Sequence, residues 1–336
     1  MAVISSENKT CASESLLELY RSPTYFLTTS INCIVPLVSL ILSIHAIRKL
    51  CSQSIIQHSP RILLIATVLF AMCHQTAYFS FKIDVLYQMI FKMNDTCNLQ
   101  HTSYDCRFIT IGTTTGNCGM ALIQLGMTCD RLCALIVPEK HLEMKSVPGV
   151  VSSILVFFIS FFMWFALTVN DPLTGWVNHC GFYPTYSVAN FNIFLRVILY
   201  VTIFNFLLDI VVLWFSIQRE IQWRDTYNMI SRYQTRVSLR CTQAIFLISV
   251  CQFVSSVLYS GLTWLLMVLG KDMSAAAYSL SLSIIYATPY ACLVLPLLIS
   301  KVLNYTKAQR IDDISALRNQ RQSHEEHMAR MKMAWG

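Results

Sequence analysis

Seven long apolar segments constrain the fold of this chain more than any other feature of its sequence. A helix of about 20 residues is enough to cross a hydrocarbon core about 30 Å thick. Helices can cross because their backbone hydrogen bonds are all made within the segment. The pattern therefore predicts an all-α, seven-helix membrane bundle over residues 25–300. The predicted spans are 25–47, 60–81, 106–132, 148–169, 191–216, 239–268 and 276–300.

The composition agrees with a membrane protein and argues against a nucleic-acid partner. Charged residues make up 13% of the 336 residues and hydrophobic residues 55%, whereas a soluble domain has about 25% charged residues. The net charge of +7 does not indicate nucleic-acid binding, because the basic residues are concentrated in alternate loops. The segment 1–24 is polar and lacks the apolar region of a signal peptide. The tail 301–336 is predicted to hold a short amphipathic helix on the membrane lipid.

The Lys and Arg residues predict the orientation of the bundle. Most of the 25 lie in the loops 48–61, 131–147 and 218–240 or in the tail. The positive-inside rule therefore predicts an outer N-terminus and a cytoplasmic C-terminus. Asn8 and Asn94 begin N-x-Thr sequons that fall outside in this topology, so both are predicted glycosylation sites.

The cysteines provide a test of this topology. Of the 13, those that reach the oxidising outer side are Cys11, Cys97, Cys106 and Cys180. Four cysteines allow two disulfides, in three connectivities. The others lie in helices or face the cytosol, where a buried cysteine usually behaves as a small apolar residue.

The third segment ends in a charged motif. It reads Asp130-Arg131-Leu132-Cys133-Ala134-Leu135-Ile136-Val137-Pro138, which resembles the DRYxAIxxP signature of rhodopsin-like G-protein-coupled receptors, with Leu132 in place of tyrosine. Cys106 precedes Arg131 by the spacing that this family keeps between its third-helix cysteine and its arginine. The resemblance implies a switch, in which Asp130 holds Arg131 at rest and a heterotrimeric G protein receives it on activation. The alternative is that Arg131 merely anchors the third helix at the membrane edge.

The same resemblance implies how the outer cysteines pair. Cys106 and Cys180 would join the outer end of helix three to the loop between helices four and five, above a ligand cavity. Cys11 and Cys97 would pin the N-terminus to the first outer loop. Helix seven departs from the family, because Leu295-Pro296-Leu297-Leu298-Ile299 stands where the common pattern is Asn-Pro-x-x-Tyr. Activation details are therefore not carried over.

Three short runs carry a narrower resemblance. They are Thr10-Cys11-Ala12-Ser13-Glu14, Ser59-Pro60-Arg61-Ile62-Leu63-Leu64 and Ser231-Arg232-Tyr233-Gln234-Thr235-Arg236. Together with the length and loop plan, they resemble the nematode chemosensory receptors of serpentine receptor class alpha. The resemblance implies a G-protein-coupled chemoreceptor for a small, odorant or pheromone-like molecule, in the plasma or ciliary membrane of sensory neurons. An orphan receptor of a sister serpentine class is an alternative, because its loops are similar.

Polar and aromatic residues inside the spans are candidates for a ligand pocket between helices three, five, six and seven. The two arginines near the outer ends of helices three and five either read a negative ligand group or snorkel to the interface. The two amides on helix three either line the pocket or bond between helices. The two aromatic residues on helix six either line it or belong to packing and the aromatic belt. These candidates are Arg107, Arg196, Asn117, Gln124, Tyr259 and Trp264.

Enzyme signatures are missing from the sequence. It has no Gly-rich phosphate loop, no HExxH and no CxxC pair, so we predict no catalysis, no cofactor and no metal site. Two other membrane classes are alternatives to a receptor. A seven-helix ligand-gated channel would have a cytoplasmic N-terminus, and a transporter would show inverted repeats, of which the sequence has no sign.

Overall fold

The structure, a computed structural model, describes residues 5–6, 11, 14–52, 57–93, 97, 99–177, 179–181, 183–224, 229–269 and 273–335. These residues form ten α-helices and three two-residue strands, with a 3-10 turn at Thr185–Ser187. The helices are α1 (Glu14–Arg21), α2 (Pro23–Ser52), α3 (His58–Phe91), α4 (Arg107–Ile136), α5 (Pro138–Met144), α6 (Val147–Leu167), α7 (Val188–Arg224), α8 (Met229–Leu269), α9 (Ala275–Ile285) and α10 (Thr288–Trp335).

Seven stretches of the described chain are long and apolar enough to cross a membrane. Six of them lie in α2, α3, α4, α6, α7 and α8. The seventh, Ala276–Gln309, runs from α9 into α10. The prediction of an all-α, seven-helix membrane bundle is therefore confirmed.

The second span continues beyond the predicted end at residue 81. The next residue is Lys82, and a charge inside a bilayer is costly. The Lys82 side chain is buried, and its Nζ donates to Ser283 Oγ at 3.2 Å. Nζ also lies 4.7 Å from the centre of the Phe81 ring. Because a hydroxyl and an aromatic face receive the ammonium group, α3 runs on to Phe91.

The seventh span is broken near its middle. Tyr286 has ψ 92°, outside the helical range, and α10 begins at Thr288. Pro289 explains the break, because its ring would collide with the carbonyl of Ile285 in a continuous helix. Two bonds to α3 hold the break: Tyr286 Oη lies 2.7 Å from His74 Nε2, and Gln75 Nε2 donates to the Pro289 carbonyl at 2.7 Å. Beyond the break, α10 continues to Trp335, so the tail residues up to Trp335 extend the last helix of the bundle.

Glycines on α4 bring that helix unusually close to α3. A Cβ added at Gly112 would lie 2.7 Å from the Cβ of Ala77, and one at Gly116 would lie 2.5 Å from the Cβ of His74. Small residues let helix backbones approach in membranes, where packing rather than water exclusion drives association. This seam fixes the rotation of α4, and with it the faces of its polar residues.

One end of the bundle carries a folded cap, which we call the disulfide cap. It consists of α1, the disulfides Cys11–Cys97 and Cys106–Cys180, and an antiparallel sheet in the order β1-β3-β2. The strands are β1 (Ser5–Ser6), β2 (His101–Thr102) and β3 (Trp176–Val177). The apolar face of α1 is buried in an aromatic cluster that includes Tyr78 and Phe81 of α3. We call this end of the bundle the disulfide end and the opposite end the Arg131 end.

Candidate functional site

At the Arg131 end, a buried ion pair joins neighbouring residues of α4. Arg131 is only 1% exposed, and its Nη2 and Nε donate to Asp130 Oδ2 at 2.5 and 3.1 Å. Its Nη1 donates to Gln57 Oε1 at 3.0 Å. The other carboxylate oxygen, Asp130 Oδ1, accepts from Ser59 Oγ at 2.5 Å and from His141 Nε2 at 2.9 Å. A buried ion pair is stable only when its other hydrogen-bonding groups also find partners, and here each guanidinium nitrogen and both carboxylate oxygens have one.

We call these five residues the Arg131 lock. Three separate elements supply them. Gln57 caps the N-terminus of α3 and Ser59 lies in its first turn, while His141 comes from the short helix α5. The motif identified Asp130 and Arg131, but sequence reasoning missed the other three. Ser59 and its neighbour Pro60 belong to one of the runs that carried the serpentine resemblance, which was the available signal for it.

A second polar cluster lies further inside the bundle, between α4, α7 and α8. The Oγ1 atom of Thr128 lies 2.9 Å from Asn205 Oδ1 and 2.5 Å from Asp209 Oδ1. The amide of Asn205 donates to Asp209 Oδ2 at 3.3 Å and to Ser249 Oγ at 3.4 Å. All four side chains are buried. They connect three spans at a level between the Arg131 lock and the middle of the bundle.

A cavity of about 110 Å³ lies on the disulfide side of this polar cluster. Side chains from α3, α4, α7, α8 and α10 line it. Its α7 wall is mostly apolar, whereas its α8 wall carries hydroxyl and amide groups. Two residues predicted for a pocket, Asn117 of α4 and Tyr259 of α8, are on the wall. The α8 wall consists of Ile248, Cys251, Gln252, Ser255, Ser256, Tyr259 and Ser260.

Comparison with known proteins connects this arrangement to a family. The family model described as "Serpentine type 7TM GPCR chemoreceptor Sra" matches residues 6–335. The chain belongs to this Sra chemoreceptor family. It is 59% identical over 335 residues to "Serpentine receptor class alpha-13" of Caenorhabditis elegans, and 51% identical to the Caenorhabditis briggsae protein of that name, with 100% of each chain covered. It is 35% identical over 332 residues to "Serpentine receptor class alpha-11" of C. elegans, with 99% of each chain covered.

Membership of the Sra family establishes the broad class of the molecule. It is a chemosensory receptor of the GPCR-like serpentine type, a kind of protein that is not usually enzymatic. With seven stretches able to span a bilayer, it is an integral, multi-pass membrane protein. The recognition of serpentine receptor class alpha from three short runs is therefore confirmed.

Four of the six pocket candidates are not on the cavity wall of this Sra receptor. Gln124 is buried beyond it, toward the Arg131 end. Arg107 stacks on Tyr104, with 3.8 Å from Cζ to the ring centre. Arg196 is exposed on the side of the bundle, and Trp264 is 67% exposed. Five residues at about 100° each place Trp264 about 140° around α8 from Tyr259, so the two cannot share a face.

The predicted disulfide partners are joined at the disulfide end. Cys11 bonds to Cys97, with Cα atoms 3.9 Å apart, and Cys106 bonds to Cys180, with Cα atoms 4.9 Å apart. Cys180 also lies near Asp84 and His101, in a grouping that resembles a metal site. Its sulfur is committed to Cys106, so no thiolate is available as a ligand. The predicted glycosylation sites Asn8 and Asn94 lie outside the described residues.

Proposed function

We propose that this receptor binds a small, odorant or pheromone-like molecule in the cavity and activates a heterotrimeric G protein at the Arg131 end. The observation that carries the proposal is that α4 contributes to both places. It places Asn117 on the cavity wall and Arg131 in the lock, about 21 Å apart at 1.5 Å per residue. A shift of α4 caused by an occupied cavity would therefore reach the lock directly.

The proposed switch is the release of Arg131. In the resting state Asp130, Ser59 and His141 hold the ends of α3, α4 and α5 together. A ligand that binds better when these ends are apart shifts the population toward the open state. Arg131 then loses its partners and turns toward the G protein. The family membership favours this receptor mechanism over the channel and transporter alternatives.

The proposed topology places the disulfide end outside and the Arg131 end in the cytoplasm. Disulfides persist in oxidising compartments, and the basic loops follow the positive-inside rule. In this arrangement 1–24 is extracellular, 25–300 contains the bundle and 301–336 is cytoplasmic, in the plasma or ciliary membrane of sensory neurons. Glycans on Asn8 and Asn94 of the expressed receptor support this topology, and unmodified sequons at both positions contradict it.

Substitution of Arg131 tests the proposed coupling. We expect Arg131→Ala to reduce G-protein activation, measured per receptor at the cell surface, to background, because the group offered to the G protein is gone. Activation is measured with a calcium or cyclic-nucleotide reporter, in cells screened with small molecules. Lys140→Ala is the matched control, since Lys140 is an exposed cation on α5 outside the lock. Unchanged signalling by Arg131→Ala would refute the switch.

A further inference from the structure

Aromatic rings close the cavity on its disulfide side. The Tyr259 ring on the wall meets the Tyr286 ring edge-on, with centres 5.3 Å apart. Tyr183, from the loop before α7, lies close to both and stacks on Phe191, with centres 4.0 Å apart. Burial raises the pKa of Tyr183 well above its usual value, and the nearby Tyr259 and Tyr286 add to this. We call Tyr183, Phe191, Tyr259 and Tyr286 the aromatic ceiling, and it presents no charge.

Above the aromatic ceiling lies the disulfide cap. Leu16, Leu19 and Tyr20 of α1 are all buried, at 6% exposure or less. They belong to an apolar cluster against which Tyr286 also packs. The two disulfides fix the segments that carry this cluster. Over the described residues, the direct route from the disulfide end to the cavity is therefore filled by packed side chains. They are mostly apolar, and the buried cation among them, Lys82, is engaged by Ser283 and the Tyr78 and Phe81 rings.

The flank of the bundle is packed much more loosely than its end. Between Cys251 and Leu269 of α8, Leu266 is the only described residue that is fully buried. None of the described residues of α9 is fully buried. The wall residues Ser255, Ser256 and Ser260 are themselves partly exposed, and they alternate with outward-facing residues such as Leu258, which is 52% exposed. Along this half of α8, a single layer of side chains separates the cavity from the lipid.

The cavity wall also limits the chemistry of the ligand. None of the described residues on the wall is charged, so an ion would enter without a counter-charge, which is costly in a bilayer. Asn117, Gln252 and the serines of α8 can bond a neutral polar group. The volume of about 110 Å³ is somewhat below the ~150 Å³ of a cavity that holds benzene. A ligand of about that size would fill it.

We infer that the cavity takes a small, uncharged, membrane-partitioning molecule with a hydrogen-bonding group, which enters from the lipid past α8 rather than from the water above the bundle. This inference rests on the proposed function for the identity of the cavity as the ligand site. It adds the chemical class of the ligand and its route.

Cys292 provides a natural reporter of that route. It is 1% exposed and lies on the cavity wall, with its Sγ 3.6 Å from Met120 Sδ. A reagent that modifies this thiol must therefore have entered the cavity. Methanethiosulfonates suit the purpose, because the thiolate attacks their sulfenyl sulfur, a mixed disulfide forms and methanesulfinate leaves.

The experiment compares two such reagents of similar length on the full chain in phosphatidylcholine nanodiscs. The n-propyl reagent is neutral, and the 2-sulfonatoethyl reagent is an anion. We expect the neutral reagent to modify Cys292 about a hundredfold faster, because the anion must leave water to cross the flank. Peptide mass spectrometry resolves the site. Equal rates would overturn the lipid route, and so would faster modification by the anion.

Three variants control the comparison. Val169→Cys places a thiol on a 74% exposed residue at the disulfide end, where both reagents should react readily. Tyr183→Ser opens the aromatic ceiling and should accelerate attack by the anion on Cys292, whereas Tyr183→Phe should not. An unchanged rate in Tyr183→Ser would contradict the closed upper route. Because labelling needs no G protein, a receptor that fails to couple would refute the proposed function and leave this result standing.

Discussion

The carboxylate of Asp130 shows how a buried charge is stabilised in this molecule. It is 5% exposed as a residue, and it accepts bonds from the side chains of Ser59, Arg131 and His141. Arg131 compensates the charge, while the hydroxyl and imidazole groups fill the remaining lone pairs. Hydrogen bonds to a charged group contribute about 1.5–3 kcal/mol each. Removing one neutral partner should therefore weaken the closed state without leaving an unpaired buried charge.

Replacement of Ser59 tests that contribution. We expect Ser59→Ala to raise ligand-independent signalling about tenfold or more, because it removes about 1.5–3 kcal/mol from the resting state alone. The measurement is reporter activity per receptor at the cell surface. Ser52→Ala is the control, because Ser52 is an exposed serine outside the lock whose hydroxyl donates to the Lys49 carbonyl of its own helix. Basal signalling that stays at the wild-type level in Ser59→Ala would show that the lock does not restrain the receptor.

His179 should make the disulfide end sensitive to acid. Burial lowers the pKa of His179 to about 3, with Lys82 and His101 adding to the effect, and its Nδ1 accepts from the Gly181 backbone N–H at 3.2 Å. An unfolded histidine has a pKa of about 6.5. Below that pH only the unfolded chain takes up this proton, so the free energy of unfolding falls as the pH drops from about 6.5 toward 3.

Thermal unfolding of the purified receptor at pH 7.5 and pH 5 measures this dependence. We expect a lower midpoint at pH 5, and a smaller difference between the two in His179→Gln. As a residue His179 is partly exposed, and contact with water weakens the desolvation that lowers its pKa, so we expect a modest change. An identical pH dependence in wild type and His179→Gln would assign the effect to other groups.

At the scale of elements, the contact between α3 and α4 determines what α4 can present. Gly112 and Gly116 remove the side chains that would otherwise hold the two backbones apart. His74, packed against Gly116, bonds to Tyr286 at the break of the seventh span. The tight seam therefore positions the break as well as the polar face of α4. A helix pair this close has little room for added volume.

Substitution of the seam glycine should be costly. We expect Gly116→Ala to destabilise the receptor by about 1–3 kcal/mol, because the new methyl group overpacks the contact with His74. Gly126→Ala lies on the same helix, and its Cβ would meet nothing closer than 3.7 Å, so it should be tolerated. The midpoint of thermal unfolding separates the two variants. Equal midpoints would mean that α3 and α4 yield at the seam.

At the scale of the whole molecule, the receptor is layered along the membrane normal. The disulfide cap lies at one end, followed by the aromatic ceiling, the cavity, the buried cluster around Asp209 and the Arg131 lock. The cap is the layer held by covalent links, since the two disulfides join parts of the chain that are 86 and 74 residues apart in sequence. Its loss should therefore affect folding of the whole receptor rather than one contact.

Breaking the second of these links tests the role of the cap. We expect Cys180→Ser to lower the free energy of unfolding by about 2–4 kcal/mol and to reduce surface expression, because the unfolded chain is no longer constrained. Cys106→Ser and the double variant should match it, since they break the same bond. Cys33→Ser, at a free cysteine in α2, is the control. Normal surface expression and unfolding of Cys180→Ser would show that the link is dispensable.

The sequence by itself determined the seven spans, the family and the ends of the third span. Apolar length alone identifies a spanning helix, because a bilayer leaves the backbone few alternatives. The motif at Asp130 and Arg131 and the outer cysteines Cys106 and Cys180 were readable because their residue types are tied to a level in the membrane. Spacing along one helix placed Asn117 and Gln124 near one face, and of the two only Asn117 lies on the cavity wall.

Only the tertiary structure decided which groups from separate helices meet. Ser59 and His141 reach Asp130 because of how α3 and α5 pack on α4, and periodicity within a helix does not specify its neighbour. The same limit explains why the pocket predictions for Arg196 and Trp264 are not met on the cavity wall. Both residues lie at a suitable depth in the membrane, but their side chains point away from the cavity. The extension of α10 to Trp335 was also not readable from the sequence, because hydrophobicity does not set the length of a helix beyond the bilayer. A sequence fixes the depth of a side chain in the membrane, whereas packing decides which way the side chain faces and what it meets.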